Sequence, residues 1–309
     1  NSSGYFGSDP WSSMRCVGTF KDTQAIRALV FSDQCPDTLA IGTNSKSLIF
    51  ASASPYTTGE DTLPQSPPIL AQRNNWHSGS VYCIDWKNDL LASGSNDQSI
   101  KILRVADPRG MSCLQDDGGC AGMWRLQPQK GTVRTVGFTE EGNQLLTASA
   151  NEAAMRIWDV NRLGEINRAG DSVALDVPIG REPGVITNLV SKQNLIACTS
   201  NDSITRLVDL RTGEVEGQFL LNIQKKLDAN ACDLNLDQTK LVVAYDRGYV
   251  GFFDIRKFGD QPIWVDTTHT ESVRQISLAP TGRYAASTIY FYFIKTIFRS
   301  NILQSFSCF

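Results

Sequence analysis

Residues 77–105 read HSGSVYCIDWKNDLLASGSNDQSIKILRV. The stretch contains a histidine, a serine and an aspartate (His77, Ser93 and Asp97) that could serve catalysis in another arrangement. A catalytic group acts at one site, whereas a structural unit recurs along the chain. The interpretation therefore depends on whether this stretch is repeated.

The first predicted strand of this unit, VYCIDW from Val81, has counterparts throughout the chain. They are IRALVF from Ile26, VRTVGF from Val133, ITNLV from Ile186, ACDLNL from Ala231 and VRQISL from Val273, at steps of 55, 52, 53, 45 and 42 residues. A second apolar run follows each of them, and five units continue through a polar turn into a third run. The turns are Asn44-Ser45, Asn96-Asp97, Asn151-Glu152, Asn201-Asp202 and Asp246-Arg247. Short alternating runs joined by such turns predict β-hairpins.

Weaker fourth strands fit the remaining stretches of each unit, and four antiparallel strands repeated every ~40–45 residues are typical of a propeller blade. The longer steps come from two insertions, Ala53–Pro68 and Asp107–Gly122, which we interpret as exposed loops between third and fourth strands. The sequence predicts an all-β propeller with five full blades and part of a sixth.

The quoted unit resembles a WD repeat. It has a histidine before the first strand, Ser-Gly-Ser at the end of the second and Asn-Asp in the turn, and the naming dipeptide survives as Trp158-Asp159. The resemblance implies a seven-bladed complete protein. It also implies that Asp97, His77 and Ser93 bond to one another and brace the blade, although Leu103 replaces the tryptophan that the family places on the third strand.

The second histidine, His269, lies in HTESV, which matches HSGSV at His77. Two histidines at matching points of two repeats favour a bracing role over catalysis. We assign the turn residues Asn201 and Asp202 to the same structural network. The sequence has no nucleophile elbow, Walker loop or metal-ligand cluster, so we expect no enzyme activity, catalytic residue, cofactor or metal.

Composition and charge exclude some classes of binding partner. A net charge of −3 and a pI of about 5.5 argue against nucleic-acid binding. The eight cysteines show no pairing rhythm, which indicates free thiols in a reducing compartment. Lys295 and Arg299 interrupt the most apolar segment too closely for a membrane span, so we expect no membrane partner.

Two stretches, KDTQAIRALVF (Lys21–Phe31) and HSGSVYCIDW, resemble a microtubule-associated group of WD-repeat proteins, and the likeness extends over residues 16–287. It implies a non-enzymatic scaffold, cytoplasmic and on the cytoskeleton, whose partners are microtubules or microtubule-associated proteins. Self-association in that group needs an N-terminal region absent here. An alternative is a substrate receptor of a cullin-type ubiquitin ligase, since Asp209-Leu210-Arg211 and Asp254-Ile255-Arg256 resemble the arginine box of those receptors.

The expected organisation has three parts. Residues 1–15 form a disordered N-terminal linker, and because the chain begins with Asn1 we expect it to start within a longer protein. Residues 16–287 form the incomplete propeller. In residues 288–309, eleven of 22 residues are Phe, Ile or Tyr and no turn signal occurs, so we interpret this tail as non-native. The alternative is a native apolar tail that binds a partner or fills the gap in the ring.

The residue after each strand anchor is expected near the mouth of the central channel. These residues are Arg27, Tyr82, Arg134, Thr187, Cys232 and Arg274. Arginine and tyrosine are favoured at binding hot spots, and converging arginines suit carboxylates. We therefore name Arg27, Tyr82, Arg134 and Arg274 as a candidate face for an acidic peptide. The alternative is that each arginine pairs with a neighbouring turn acid such as Asp97 or Glu152.

Overall fold

The computed structural model describes residues 20–53, 66–105, 122–126, 128–164, 175–179, 185–222, 226–257, 261–289, 294–298 and 304–305. The predicted linker, residues 1–15, lies outside these ranges, as do the central parts of both predicted insertions. The described residues form 24 β-strands and two short 3₁₀ turns, Val160–Arg162 and Asp246–Gly248.

The strands form six antiparallel sheets of four, here named blades 1 to 6. Blade 1 contains β1 (Ile26–Phe31), β2 (Thr38–Thr43), β3 (Leu48–Ser52) and β4 (Ile69–Arg73), and blade 2 contains β5 (Val81–Lys87), β6 (Leu90–Ser95), β7 (Ile100–Arg104) and β8 (Met123–Arg125). Blade 3 contains β9 (Val133–Phe138), β10 (Gln144–Ser149), β11 (Ala154–Asp159) and β12 (Leu175–Pro178), and blade 4 contains β13 (Ile186–Lys192), β14 (Leu195–Ser200), β15 (Ile204–Asp209) and β16 (Val215–Leu220). Blade 5 contains β17 (Ala229–Leu234), β18 (Lys240–Tyr245), β19 (Val250–Asp254) and β20 (Trp264–Asp266), and blade 6 contains β21 (Val273–Leu278), β22 (Tyr284–Ile289), β23 (Ile294–Phe298) and β24 (Gln304–Ser305).

The first strands of successive blades lie beside one another in chain order, β1 to β5 to β9 to β13 to β17 to β21. Each blade pairs its strands in sequence order, so every connection within a blade joins neighbouring strands. This is the architecture of a β-propeller, in which the first strands are central and the fourth strands peripheral. The all-β propeller prediction is confirmed.

The count of blades differs from the sequence prediction of five and part of a sixth. Backbone pairing of Tyr284 with Phe298 and of Lys295 with Ser305 adds β23 and β24 to β22, which gives the sixth sheet four strands. The prediction stopped at half a blade because this segment has neither a turn signal nor alternation. The interpretation of residues 288–309 as a non-native tail stays a prediction.

Neighbouring blades are held together by apolar clusters that each join two of them. Between blades 1 and 2, Phe50 packs edge-on against Trp86 with ring centroids 5.4 Å apart. Blades 1 and 2 approach each other so closely that β2 needs a glycine at one point. A Cβ at Gly42 would lie 2.8 Å from Cγ1 of Val81. Gly94 meets Val133 of blade 3 in the same way, with a virtual Cβ 2.5 Å from Cγ1. Small residues on the second strand therefore let the next blade approach.

Blade 1 differs on the face that carries β1. On β5 the side chains of Ile84 and Trp86 are 9% and 3% exposed, whereas their counterparts on β1, Leu29 and Phe31, are 53% and 50% exposed. Blades 2, 3, 5 and 6 bury the side chains at both of these positions.

Candidate functional site

The quoted stretch forms a closed hydrogen-bond network in blade 2. Nε2 of His77 lies 2.9 Å from Oγ of Ser93, and Nδ1 lies 3.2 Å from Oδ2 of Asp97. Asp97 also accepts hydrogen bonds from the backbone N–H groups of Ser78 and Ser99, at 2.8 and 2.9 Å. His77 and Ser93 are fully buried, so the network fixes the hairpin turn against the segment that precedes β5.

Trp76 completes this network from an unexpected place. Its buried indole Nε1 donates to Oγ of Ser93 at 2.8 Å. In blade 3 the same kind of bond comes from the third strand, where Nε1 of Trp158 donates to Oγ1 of Thr147 at 2.9 Å. Leu103 occupies the corresponding third-strand position in blade 2. The tryptophan missing from that strand is thus supplied by the residue before His77, which the sequence analysis did not recognise.

Burial and hydrogen bonds together determine the protonation states of His77 and Asp97. Desolvation lowers the pKa of His77 to about 4, against the opposing attraction of Asp97. Burial acts to raise the pKa of Asp97, but hydrogen bonds from the Ser99 side chain and backbone outweigh it and hold that pKa below its usual range. A neutral imidazole here is the tautomer in which Nδ1–H donates towards Oγ of Ser99 and Oδ2 of Asp97, at 3.0 and 3.2 Å, and Nε2 accepts from Ser93.

The equivalent positions of the other blades carry related but different bonds. Nε2 of His269 lies 2.7 Å from Oγ of Ser287 in blade 6. In blade 3 the histidine position is taken by Gln129, whose buried amide donates to Oγ1 of Thr147 at 2.6 Å. The sequence offered a signal for Gln129, since it precedes its strand anchor Val133 by the four residues that separate His77 from Val81.

Asn201 and Asp202 bond differently from their expected place in a histidine network. Oδ1 of Asn201 accepts from the backbone N–H of Val185 at 2.8 Å. Asp202 forms a two-pronged ion pair with Arg206, whose Nη2 lies 2.6 Å from Oδ2. Both residues fasten the blade 4 turn, where the buried Arg206 on β15 pairs with the turn aspartate from the ladder position that Lys101 occupies in blade 2.

Three members of the candidate partner face meet above the central strands. The guanidinium carbons of Arg27 and Arg134 each lie 5.4 Å from the ring centroid of Tyr82. Because β1 and β9 flank β5, the two arginines reach the tyrosine from the blades on either side. Arg27 is held further by a 2.8 Å bond from Nε to Oδ1 of Asn44. Both arginines are exposed, so their remaining N–H donors face solvent.

The alternative expectation was that these arginines pair with turn acids such as Asp97 or Glu152. In the structure both of these acids bond to other residues. Asp97 is engaged by His77 and its serine neighbours. Oε1 of Glu152 lies 2.9 Å from Nη2 of Arg156, and Oε2 accepts from Ser149 at 2.9 Å. Both carboxylates therefore have partners within their own blades.

The fourth member, Arg274, lies on blade 6, where Nη1 donates to Oδ1 of Asn230 at 3.3 Å. This contact corrects the placement of Cys232 at the mouth. Blade 5 begins its ladder with Ala229 opposite Tyr245, two residues before the predicted anchor at Ala231, so the position after the anchor belongs to Asn230. Cys232 is buried, and its desolvation raises the pKa of the thiol well above the ordinary value.

Two partly buried aspartates connect blades directly and were not singled out from the sequence. Oδ2 of Asp85 on β5 accepts from the backbone N–H of Phe138 on β9 at 2.7 Å. Oδ2 of Asp233 on β17 accepts from the N–H of Leu278 on β21, also at 2.7 Å. Each aspartate lies four residues after its strand anchor. Burial raises the pKa of both carboxyl groups, against the effect of these bonds.

We expect Asp85→Ala to lower the free energy of unfolding by about 1–3 kcal/mol, since it leaves the Phe138 N–H without its acceptor. Chemical denaturation measures this loss. Asp85→Asn retains an acceptor oxygen and should cost less. Asp89→Ala, which removes an exposed ion pair with Arg104, should change stability by less than about 1 kcal/mol. Equal losses for Asp85→Ala and Asp89→Ala would contradict a role for Asp85 between blades.

Other chemistry is limited in the part of the chain that the structure describes. These residues include no group of three or more His, Cys, Asp or Glu that could hold a metal ion. Their four cysteines, Cys35, Cys83, Cys198 and Cys232, are free thiols. No helix among the described residues has the length and apolar character needed to cross a membrane.

Comparisons with known proteins agree with this architecture. Residues 71–103 match the WD40 family, described as WD domain, G-beta repeat, and this segment runs from β4 of blade 1 through the first three strands of blade 2. Among many matching solved structures is the crystal structure of the computationally designed Ika8 protein, with a TM-score of 0.60 and 15% sequence identity, over 89% of this chain and 71% of that chain. At this identity the likeness concerns the fold alone. The six blades and the matched repeat establish a WD-repeat β-propeller fold.

Proposed function

We propose that this chain is a non-enzymatic protein-interaction scaffold whose arginine face binds an acidic segment of a partner protein. The arginine face consists of Arg27, Tyr82, Arg134 and Arg274. WD repeats in general support protein-binding roles, and propellers offer rigid faces on which residues from several blades converge.

The observation that carries this proposal is the arrangement of two arginines around one tyrosine ring. Stacking on Tyr82 holds the guanidinium groups of Arg27 and Arg134 while leaving their N–H donors exposed. A preorganised arginine loses less conformational entropy when it binds a carboxylate. The named turn acids are engaged elsewhere, so they do not compete for these donors.

The finer part of the proposal concerns the identity of the partner. The stretches Lys21–Phe31 and HSGSVYCIDW resemble nemitin, a microtubule-associated WD-repeat protein. We therefore propose a cytoskeletal partner with a carboxylate-rich segment, and a cytoplasmic location on the cytoskeleton. This part rests on the sequence resemblance and on the fit of arginine to carboxylate.

Charge reversal tests the face. We expect Arg27→Glu and Arg134→Glu each to weaken binding of a glutamate-rich peptide at least tenfold in a fluorescence titration, and Arg274→Glu to weaken it as well. Reversing a side chain that contacts a carboxylate replaces attraction with repulsion. Co-sedimentation of the same variants with microtubules tests the cytoskeletal part separately.

Arg211→Glu is the matched control. Arg211 is exposed at a turn of blade 4, and its substitution changes the net charge by the same amount as each of the other charge reversals. Unchanged peptide binding by the Arg27 and Arg134 variants, or an equal loss with Arg211→Glu, would contradict the proposed face. Peptide binding without microtubule binding would overturn only the cytoskeletal part.

The Asp-x-Arg motifs that suggested a ubiquitin-ligase receptor are engaged in hydrogen bonds within their own turns. Nε and Nη2 of Arg256 donate to both oxygens of Asp254, at 2.8 and 2.6 Å. The backbone N–H of Arg211 donates to Asp209 at 2.6 Å. These bonds explain the Asp-x-Arg pattern as closure of the turn after the third strand.

A further inference from the structure

A cationic cleft lies beside the hairpin turn of blade 2, apart from the arginine face. It is an open depression of about 400 Å³ whose lining includes His77 and Asp97. Lys46, Lys101 and Arg125 contribute the positive charges of its lining, and Asn75 and Ser78 contribute polar groups. On a chain with a net charge of −3, this concentration of positive charge is unusual.

The charges in the cleft do not cancel. Three cations face one acid, Asp97, which leaves a formal charge of +2. The Asp97 carboxylate already accepts hydrogen bonds from Ser78 and Ser99, including one of 2.6 Å from the Ser99 hydroxyl.

Lys101 is held in place within this cleft. Its ammonium donates to the backbone carbonyl of Trp76 and lies 5.0 Å from the Trp76 ring centroid. An ammonium group has three donors, so two further N–H groups are available beyond that bond. The lysine is thus positioned by the core of the blade before any ligand arrives.

Like charges are placed opposite each other at this point. Lys101 and Arg125 are direct partners in the β7–β8 ladder, an arrangement that is unfavourable without a counter-ion. Arg73 adds a further cation, with its guanidinium carbon 5.2 Å from the Trp76 ring centroid. Burial lowers the pKa of Lys101, and repulsion from Arg125 and Arg73 lowers it further, while Asp97 acts in the opposite direction. An anion bound here would relieve that repulsion.

We infer that the cleft formed by Lys46, Lys101 and Arg125 binds a phosphate monoester dianion. A monoester carries a charge of about −1.5 to −2 and three acceptor oxygens, which match a cleft of charge +2 with three cationic donor groups. A single carboxylate would balance half of that charge. The arginine face differs because its two guanidinium groups are separated by a tyrosine ring.

The phosphate could belong to a phosphorylated side chain of a protein or to a small metabolite, and the probes separate these sources. We would titrate the full chain with inorganic phosphate, with a phosphoserine peptide and with its unphosphorylated form. His77 provides the readout by NMR, because Lys101 and Arg125 contribute to lowering its pKa. A bound dianion should raise the His77 pKa and shift its ring resonances in a saturable way.

Arg125→Gln and Lys46→Gln should each weaken phosphate binding at least tenfold, and both residues are exposed, so the fold should persist. Arg104→Gln is the control on the same hairpin, since Arg104 pairs with Asp89 and lies over Trp124 outside the cleft. Much tighter binding of the phosphopeptide than of inorganic phosphate would indicate a protein source, and equal binding would indicate a small metabolite. No saturable shift with either phosphate probe, or shifts that survive both cleft variants, would overturn the inference.

Discussion

Replacing Trp76 with alanine is expected to lower the free energy of unfolding by about 3–5 kcal/mol, the range for truncating a fully buried tryptophan. Trp76 is among the largest fully buried side chains of the described residues and packs in the cluster that joins blades 1 and 2. The substitution opens a cavity at that junction and removes the indole donor from Ser93. Denaturant unfolding followed by circular dichroism measures the loss.

Two further variants separate the contribution of the buried apolar volume of Trp76 from that of its indole hydrogen bond, and provide a control. Trp76→Phe keeps most of the apolar volume but loses the indole N–H, so we expect a smaller loss of about 1–3 kcal/mol. Trp264→Ala is the matched control, because Trp264 lies on β20, is 38% exposed and contacts Phe252 with ring centroids 5.1 Å apart. A loss for Trp264→Ala as large as that for Trp76→Ala would contradict the role assigned to Trp76.

Stability is expected to fall by about 3 kcal/mol as the pH decreases from 6.5 to 4, through the single group His77. Burial lowers the pKa of the folded histidine to about 4, whereas an unfolded histidine titrates near 6.5. Within that window the unfolded chain binds a proton that the folded chain does not, so acidification favours unfolding. The contribution is present in full above pH 6.5.

His77→Gln isolates this effect from the titration of the carboxyl groups. The variant should be less stable than the parent chain at pH 7, and its stability should depend less steeply on pH between 6.5 and 4. The measurement is a series of denaturant titrations at closely spaced pH values. Parallel pH profiles for the two proteins would show that His77 does not titrate in this way.

The blades were predictable because their signals are local. Alternating apolar residues and Asn or Asp turns specify each hairpin within about 20 residues, and the hairpin requires no knowledge of the rest of the chain. The signals for the outer strands are weaker, and the structure places outer strands at β4, β16 and β20. The sixth sheet was underestimated because β23 and β24 carry no turn residue to mark them.

The site was less predictable because its bonds cross between segments. The role of Trp76 depends on its bond to Ser93, which lies 17 residues later in the chain. β17 starts at Ala229, two residues before the apolar run at Ala231 that served as the predicted anchor, so the predicted mouth residue was Cys232 instead of Asn230. The Asp85 bond joins two blades, and alternation within one blade contains no information about it.

Each of the apolar clusters between blades joins two adjacent blades. This arrangement determines how far a local loss of stability spreads through the molecule. In systems where each unit contacts only its neighbours, the free energy of unfolding is approximately a sum of one contribution from each unit and one from each junction. A lesion at the Phe50–Trp86 junction should therefore accelerate hydrogen exchange in blades 1 and 2 and leave amides near Phe253 close to their original rates. Surface residues of one blade can accordingly diverge during evolution without forcing compensating changes on the opposite side of the ring.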